Sequence, residues 1–206
     1  MRPRRKLAAR PETGEIMSDV IRVFVEKKPG FDVEAQHIRA DLVENLGMKS
    51  VTDVKLLNRY DISGMSAEEF AQARDTIFSE PNVDNVYEET YEAPAGYRVF
   101  AMEYLPGQYD QRADSAAQCV QLLTQGERPQ VATARVVAIG GGVSDAELEK
   151  IAQYMVNPVE SRLASLEKPE ALGLQADVPA DVARITGFIS WNDAEMDAFY
   201  GRMGFA

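Results

Sequence analysis

Six polar side chains crowd the stretch "YLPGQYDQRADSAAQC", residues 104–119: Gln108, Gln111, Arg112, Asp114, Ser115 and Gln118. They sit where a helix should open, and a helix N-terminus with free amides and an Arg can meet a phosphate or a partner loop. Asp110 or Asp114 can instead serve as the cap of that helix. Capping leaves Gln108, Gln111, Arg112, Asp114 and Ser115 as the candidate substrate- or partner-facing residues.

Other residues with chemical potential support no reaction. His37 is the single histidine and Cys119 the single cysteine, too few for a nucleophile triad or for a zinc site built from Cys and His. Cys119 is expected to be a small core residue on the Ala116, Val120, Leu123 face of its helix. His37, beside Ile38 at the start of another helix, reads as a partly exposed structural residue. "GGG" at Gly140–Gly142 lacks the dinucleotide spacing and any following Lys-Ser or Lys-Thr, so a tight turn explains it. Glu88, Glu89 and Glu92 form an exposed acidic run rather than a metal site. No catalytic residue and no metal ligand is therefore expected.

The chain that must position these residues has 206 residues, 45% hydrophobic and 27% charged, enough for a normal core. Its formal net charge of -11 argues against nucleic-acid or anionic-membrane binding, which needs a basic face. The exception is "MRPRRKLAARPETGEI", with five Lys or Arg against two Glu. Residues 1–17 are expected to form a disordered basic leader, and Met17 reads as a second possible start. The single cysteine fits a reducing cytoplasm, and no apolar segment reaches membrane-spanning length.

The chain also repeats itself. Arg22-Val23-Phe24 recurs as Arg98-Val99-Phe100, Pro29-Gly30 as Pro106-Gly107, Phe31-Asp32 as Tyr109-Asp110 and Gly64-Met65-Ser66 as Gly142-Val143-Ser144, always 76 to 78 residues on. Common order and near-constant spacing indicate a duplicated unit. Ile21, Val23 and Val25 alternate as in a strand. Ile38, Leu42 and Leu46 mark a helix ending at Gly47, and Ala113, Ala116, Val120 and Leu123 mark its counterpart, ending near Gly126. Ser66 with Glu69, Ser144 with Glu147 and Asn192 with Glu195 read as capping boxes. Each copy is thus strand, helix, strand, helix, with a third strand at least in the first. The expected fold is α+β, two tandem β-α-β-α-(β) units over 18–95 and 96–165 packed as an internal pseudo-dimer. A mostly irregular linker with a short C-terminal helix, 166–206, follows.

The 104–119 stretch, with "FVEKKPGFDVEA", "LLNRYDISG" and "KIAQYMVNPVESR", resembles the N-terminal region of phosphoribosylformylglycinamidine synthase (FGAM synthase) in its long single-chain form. The resemblance runs from about Ile21 to Phe205 and implies a PurS-like fold for each copy. It also implies a place in purine biosynthesis, where FGAR, ATP and glutamine become FGAM, ADP, phosphate and glutamate. ATP and magnesium belong to synthetase and glutaminase domains whose motifs are not in this sequence. The chain is accordingly expected to be a fragment or a split-gene partner, inactive alone, with those domains or subunits as partners and self-association open. The alternative is a tandem α+β regulatory module that binds a small effector such as an amino acid.

Overall fold

The alternation of Ile21, Val23 and Val25 is realised as strand β1 (Ile21–Lys27) in a computed structural model that describes residues 20–173 and 184–204. There follow α1 (Val33–Glu44), β2 (Val51–Ser63), α2 (Ala67–Ala73) prolonged by a π-type turn (Arg74–Phe78), and β3 (Asp84–Glu88). The second half has β4 (Arg98–Tyr104), α3 (Gln111–Thr124), β5 (Gln130–Gly141), α4 (Asp145–Met155) and β6 (Ser161–Ala164). The basic leader expected over 1–17, and part of the expected linker, lie outside the described residues.

The fold is α+β. Six strands form one sheet in the order β3-β1-β2-β5-β4-β6, every neighbouring pair antiparallel. From the central β2-β5 pair outward, each half runs second strand, first strand, third strand. Ile21 opposes Ile62 in the first half and Arg98 opposes Ile139 in the second, both members displaced by 77 residues. The capping boxes expected at Ser66 and Ser144 are present. The Ser66 and Ser144 side chains accept from the Glu69 and Glu147 amides, and each Glu accepts from its serine amide in return, satisfying donors a helix start would otherwise leave bare.

The helices cover one face of the sheet and exchange partners. Ala35 and Leu42 of α1 share a core with Ile151 and Ala152 of α4 over Phe100, Val137 and Ile139. Phe70 and Ala73 of α2 share the other with Ala116 and Val120 of α3 over Val23, Tyr60 and Ile62. Each half's first helix is therefore packed with the other half's second. Phe78, carried on the π-type turn, is buried edge-on against Tyr60 at 5.2 Å between ring centres.

The α3 stripe corrects one expectation. Its buried residues are Ala113, Ala116, Ala117 and Val120, spaced i, i+3, i+4 and i+7, while Cys119 is exposed. One position of rotation, about 100°, carries the thiol off the apolar edge that ends at Val120. Leu123 is also 43% exposed. The helix ends at Gln125, itself left-handed, ahead of Gly126.

The opposite face of the sheet is covered as well. Phe24, Leu57, Ala101 and Val136 are buried there, with Tyr87, Tyr91, Val99 and Ala164 packed against them. Gly140 lies under Tyr97, where a Cβ would come within 2.6 Å of the ring. Gly141 has φ +120°, and a Cβ there would strike the Ser50 carbonyl oxygen. The two glycines thus end β5 by close packing as well as starting a turn. Gly141→Ala is expected to destabilise by more than about 1 kcal/mol, because both backbone angle and space forbid it. Gly142→Ala, with nothing within 4 Å, should be near neutral by chemical denaturation.

The chain divides after Gly173 into two compact units. In the second, a short 3-10 turn (Phe188–Ser190) precedes α5 (Asp193–Met203), whose Asn192-Glu195 capping box is formed. Phe188, Trp191 and Phe199 meet at 5.1 to 5.9 Å between ring centres. No helix among the described residues is long and apolar enough to cross a membrane.

Candidate functional site

Asp110, not Asp114, caps α3. Its Oδ1 accepts from the Ala113 amide at 2.9 Å and its Oδ2 from the Thr133 hydroxyl at 2.7 Å, so the cap also ties the helix to β5. Asp114 belongs to a surface network: it pairs with Arg128 and accepts from the Tyr109 hydroxyl at 3.0 Å and the Gln118 amide at 2.8 Å. Arg128, then Tyr109, hold its carboxyl below the usual carboxylate range, and Asp114 in turn pushes the Tyr109 phenol up. Gln108 donates to the Val159 carbonyl at 3.4 Å, while Gln111 and Ser115 are exposed. The five candidates therefore do not converge.

Arg112 is the one that leaves the group. Two positions before Asp114, it points to another side of the helix and donates to the Tyr60 hydroxyl at 3.4 Å. That contact lies at a groove of about 800 Å³ between the start of α1 and the π-type turn, floored by Val25, Leu56, Asn58 and Tyr60. A volume of this size is typical of small-molecule sites. Most carboxylates around it are engaged. Asp84 lies 2.8 Å from the Lys27 ammonium, an ion pair without hydrogen-bond alignment at Oδ1. Asp75 pairs with Arg74 and Glu34 with Arg135, and Asp53 accepts from the Tyr97 hydroxyl at 2.5 Å.

Neither the single histidine nor the single cysteine lines the groove. His37 and Cys119 are both exposed, and the described residues contain no group of three His, Cys, Asp or Glu able to hold a metal. Glu88 pairs with Arg74, and Glu89 with Lys168 while also accepting from the Arg22 amide at 3.3 Å. The acidic run is thus partly used in structure. Sequence patterns singled out Arg112 but missed Tyr60 and Asn58. Both sit within an ordinary strand, and only the folded sheet brings Tyr60 against α3 and Asn58 into the same groove.

Glu147 has the strongest titration signature near the second capping box. The Ser144 amide and hydroxyl, joined by the Ser50 hydroxyl at 2.7 Å, lower its carboxyl from the ordinary 4.5 to about 2. A folded value below the unfolded one gives stability that is complete above pH 4.5 and lost as pH falls toward 2. The Glu147 carboxyl resonance is expected to titrate near 2, with the start of α4 loosening over that range, and Glu147→Gln should remove this acid-dependent step.

What the fold and groove define is an α+β module with an open polar groove and no assembled catalytic group among the described residues. Comparison with known proteins finds no matching family model, no matching curated protein and no matching solved structure.

Proposed function

We propose that this chain is the N-terminal accessory region of FGAM synthase, two PurS-like units fused as an internal pseudo-dimer. In this role it docks on the synthetase and glutaminase parts and helps to shape their assembly. The observation that carries this reading is the twofold recurrence of the β-α-β-α-β order with matched strand registers and exchanged helices. This recurrence supports the internal pseudo-dimer that the resemblance implies. The groups that phosphorylate an amide oxygen and release ammonia would come from the partner.

Association is the direct test. The purified chain, mixed with a separately produced synthetase-glutaminase polypeptide, is expected to elute with it as one complex in size-exclusion chromatography with light scattering. Independent elution at micromolar concentrations of both would overturn the reading.

A further inference from the structure

The groove over β1 and β2 has a smaller counterpart over β4 and β5. Residues 77 positions apart hold matching places in the two strand pairs, so that Val25 opposite Asn58 corresponds to Met102 opposite Arg135. The second hollow, lined by Met102, Thr133, Arg135 and Met155 among others, is only about 170 Å³. Its closure has visible causes. Thr133 draws Asp110 and the start of α3 onto β5, Arg135 is spanned to Glu34, and two methionines fill space.

In the first half the matching residues are Val25, Leu56 and Asn58. Leu56 has no hydroxyl to hold the Asp32 cap, and Asp32 caps no backbone amide of its helix, accepting instead from the Gly30 amide and the Gln36 side chain. Where α4 runs as a regular helix, the wall of the first groove is the π-type turn that carries Thr76 and Ile77. Such an insertion in a helix is rare and frequently marks a functional site. One plan, built twice, is packed shut in one half and held open in the other.

Seven carboxylates and three cations line the groove. Glu26, Glu34, Asp75 and Asp84 are ion-paired, Asp53 accepts from the Tyr97 hydroxyl and Asp32 from the Gly30 amide and the Gln36 side chain. Of the cations, Lys27 is paired with Asp84 and Lys55 with Glu26, whereas Arg112 has no ion pair among the described residues. The Tyr60 hydroxyl accepts from it at 3.4 Å, and Asn58 lines the same groove. A guanidinium fork of this kind suits a carboxylate or a phosphate.

We propose that this groove binds a small organic anion, its carboxylate or phosphate on Arg112 and its hydrogen-bonding body on Tyr60 and Asn58. The ligand would be gripped by both halves at once, since Arg112 comes from the second and the floor from the first. This inference does not rest on the assembly reading, because the groove is complete within the chain.

The full chain would be titrated with L-glutamate as the carboxylate probe and ribose 5-phosphate as the phosphate probe, against sodium chloride of equal ionic strength. Amide and arginine side-chain resonances report binding. Saturable shifts at residues 56–60, 75–78 and 112 are expected with one probe, which identifies the anion class. Arg112→Ala and Asn58→Leu are each expected to weaken that binding about tenfold or more, while Arg128→Ala, at an exposed pair away from the groove, should leave it unchanged. No saturable shift with either probe up to about 10 mM, or undiminished binding by Arg112→Ala, would overturn the proposal. Either result would leave association with a synthetase partner unaffected.

Discussion

Asp61→Ala is expected to cost about 3–5 kcal/mol of unfolding free energy, because it strips a buried pair of guanidinium groups of their shared carboxylate. Arg22, Arg59 and Asp61 are 2%, 5% and 2% exposed. Arg22 grips Asp61 with two bonds, 2.5 Å from Nε and 2.9 Å from Nη2, while Arg59 Nε lies 3.2 Å from the same carboxylate without hydrogen-bond alignment. Burial lowers the Arg59 pKa against the pull of Asp61.

The remaining donors reach the chain beyond β6. Arg22 donates to the Leu166 and Glu167 carbonyls at 2.8 and 3.1 Å, and Arg59 to the Ser165 carbonyl at 2.6 Å. The residues expected to begin the linker at 166 are thus pinned across the sheet. Without Asp61 the two cations keep only carbonyl dipoles in a water-poor site, so faster amide exchange over 165–168 should accompany the loss. Urea unfolding provides the measurement, with Asp114→Ala, at an exposed pair, as a reference expected to lose less than about 1 kcal/mol. Equal losses in the two variants would contradict this account of the buried cluster.

Cutting the chain between its repeats is expected to have the larger effect still, abolishing cooperative unfolding in both pieces. Residues 20–95 alone would keep α1 without α4 and α2 without α3, and would bare the long edge of β2 that now pairs with β5 from Val51 to Ser63. An unpaired edge of that length invites association rather than folding. Mixed with 96–173, the first piece should recover the native heat-unfolding transition in circular dichroism. An isolated half that unfolds cooperatively as a monomer would show that the exchanged helices are dispensable.

Much of this architecture is legible in the residues. Alternating Ile21, Val23 and Val25, the Ser66-Glu69 and Ser144-Glu147 spacings and the recurrence near 77 residues are local signals, and local chemistry enforces them. What escaped was decided by tertiary contacts. The π-type turn at Arg74–Phe78 carries Phe78 onto Tyr60, and no residue type announces it. β6 is short and carries the exposed Leu163, so its pattern alone does not declare a strand. Arg22 and Arg59 look like surface residues on a strand until the returning chain buries them. Cys119 lies in solvent because a single step of helix rotation separates it from the core edge at Val120. The groove was invisible for a further reason: it arises from what the first half lacks, the Thr, Arg and Met side chains that close its counterpart.

The proposed role as an accessory part of FGAM synthase, with its chemistry in a partner, is tested most directly by activity. FGAM formation from FGAR, ATP and glutamine would be followed with the chain alone, with a synthetase-glutaminase polypeptide lacking this region, and with the two combined. No turnover by the chain alone and synthesis restored only on mixing is the expected result. A synthetase-glutaminase polypeptide that gains nothing from the added chain would contradict it.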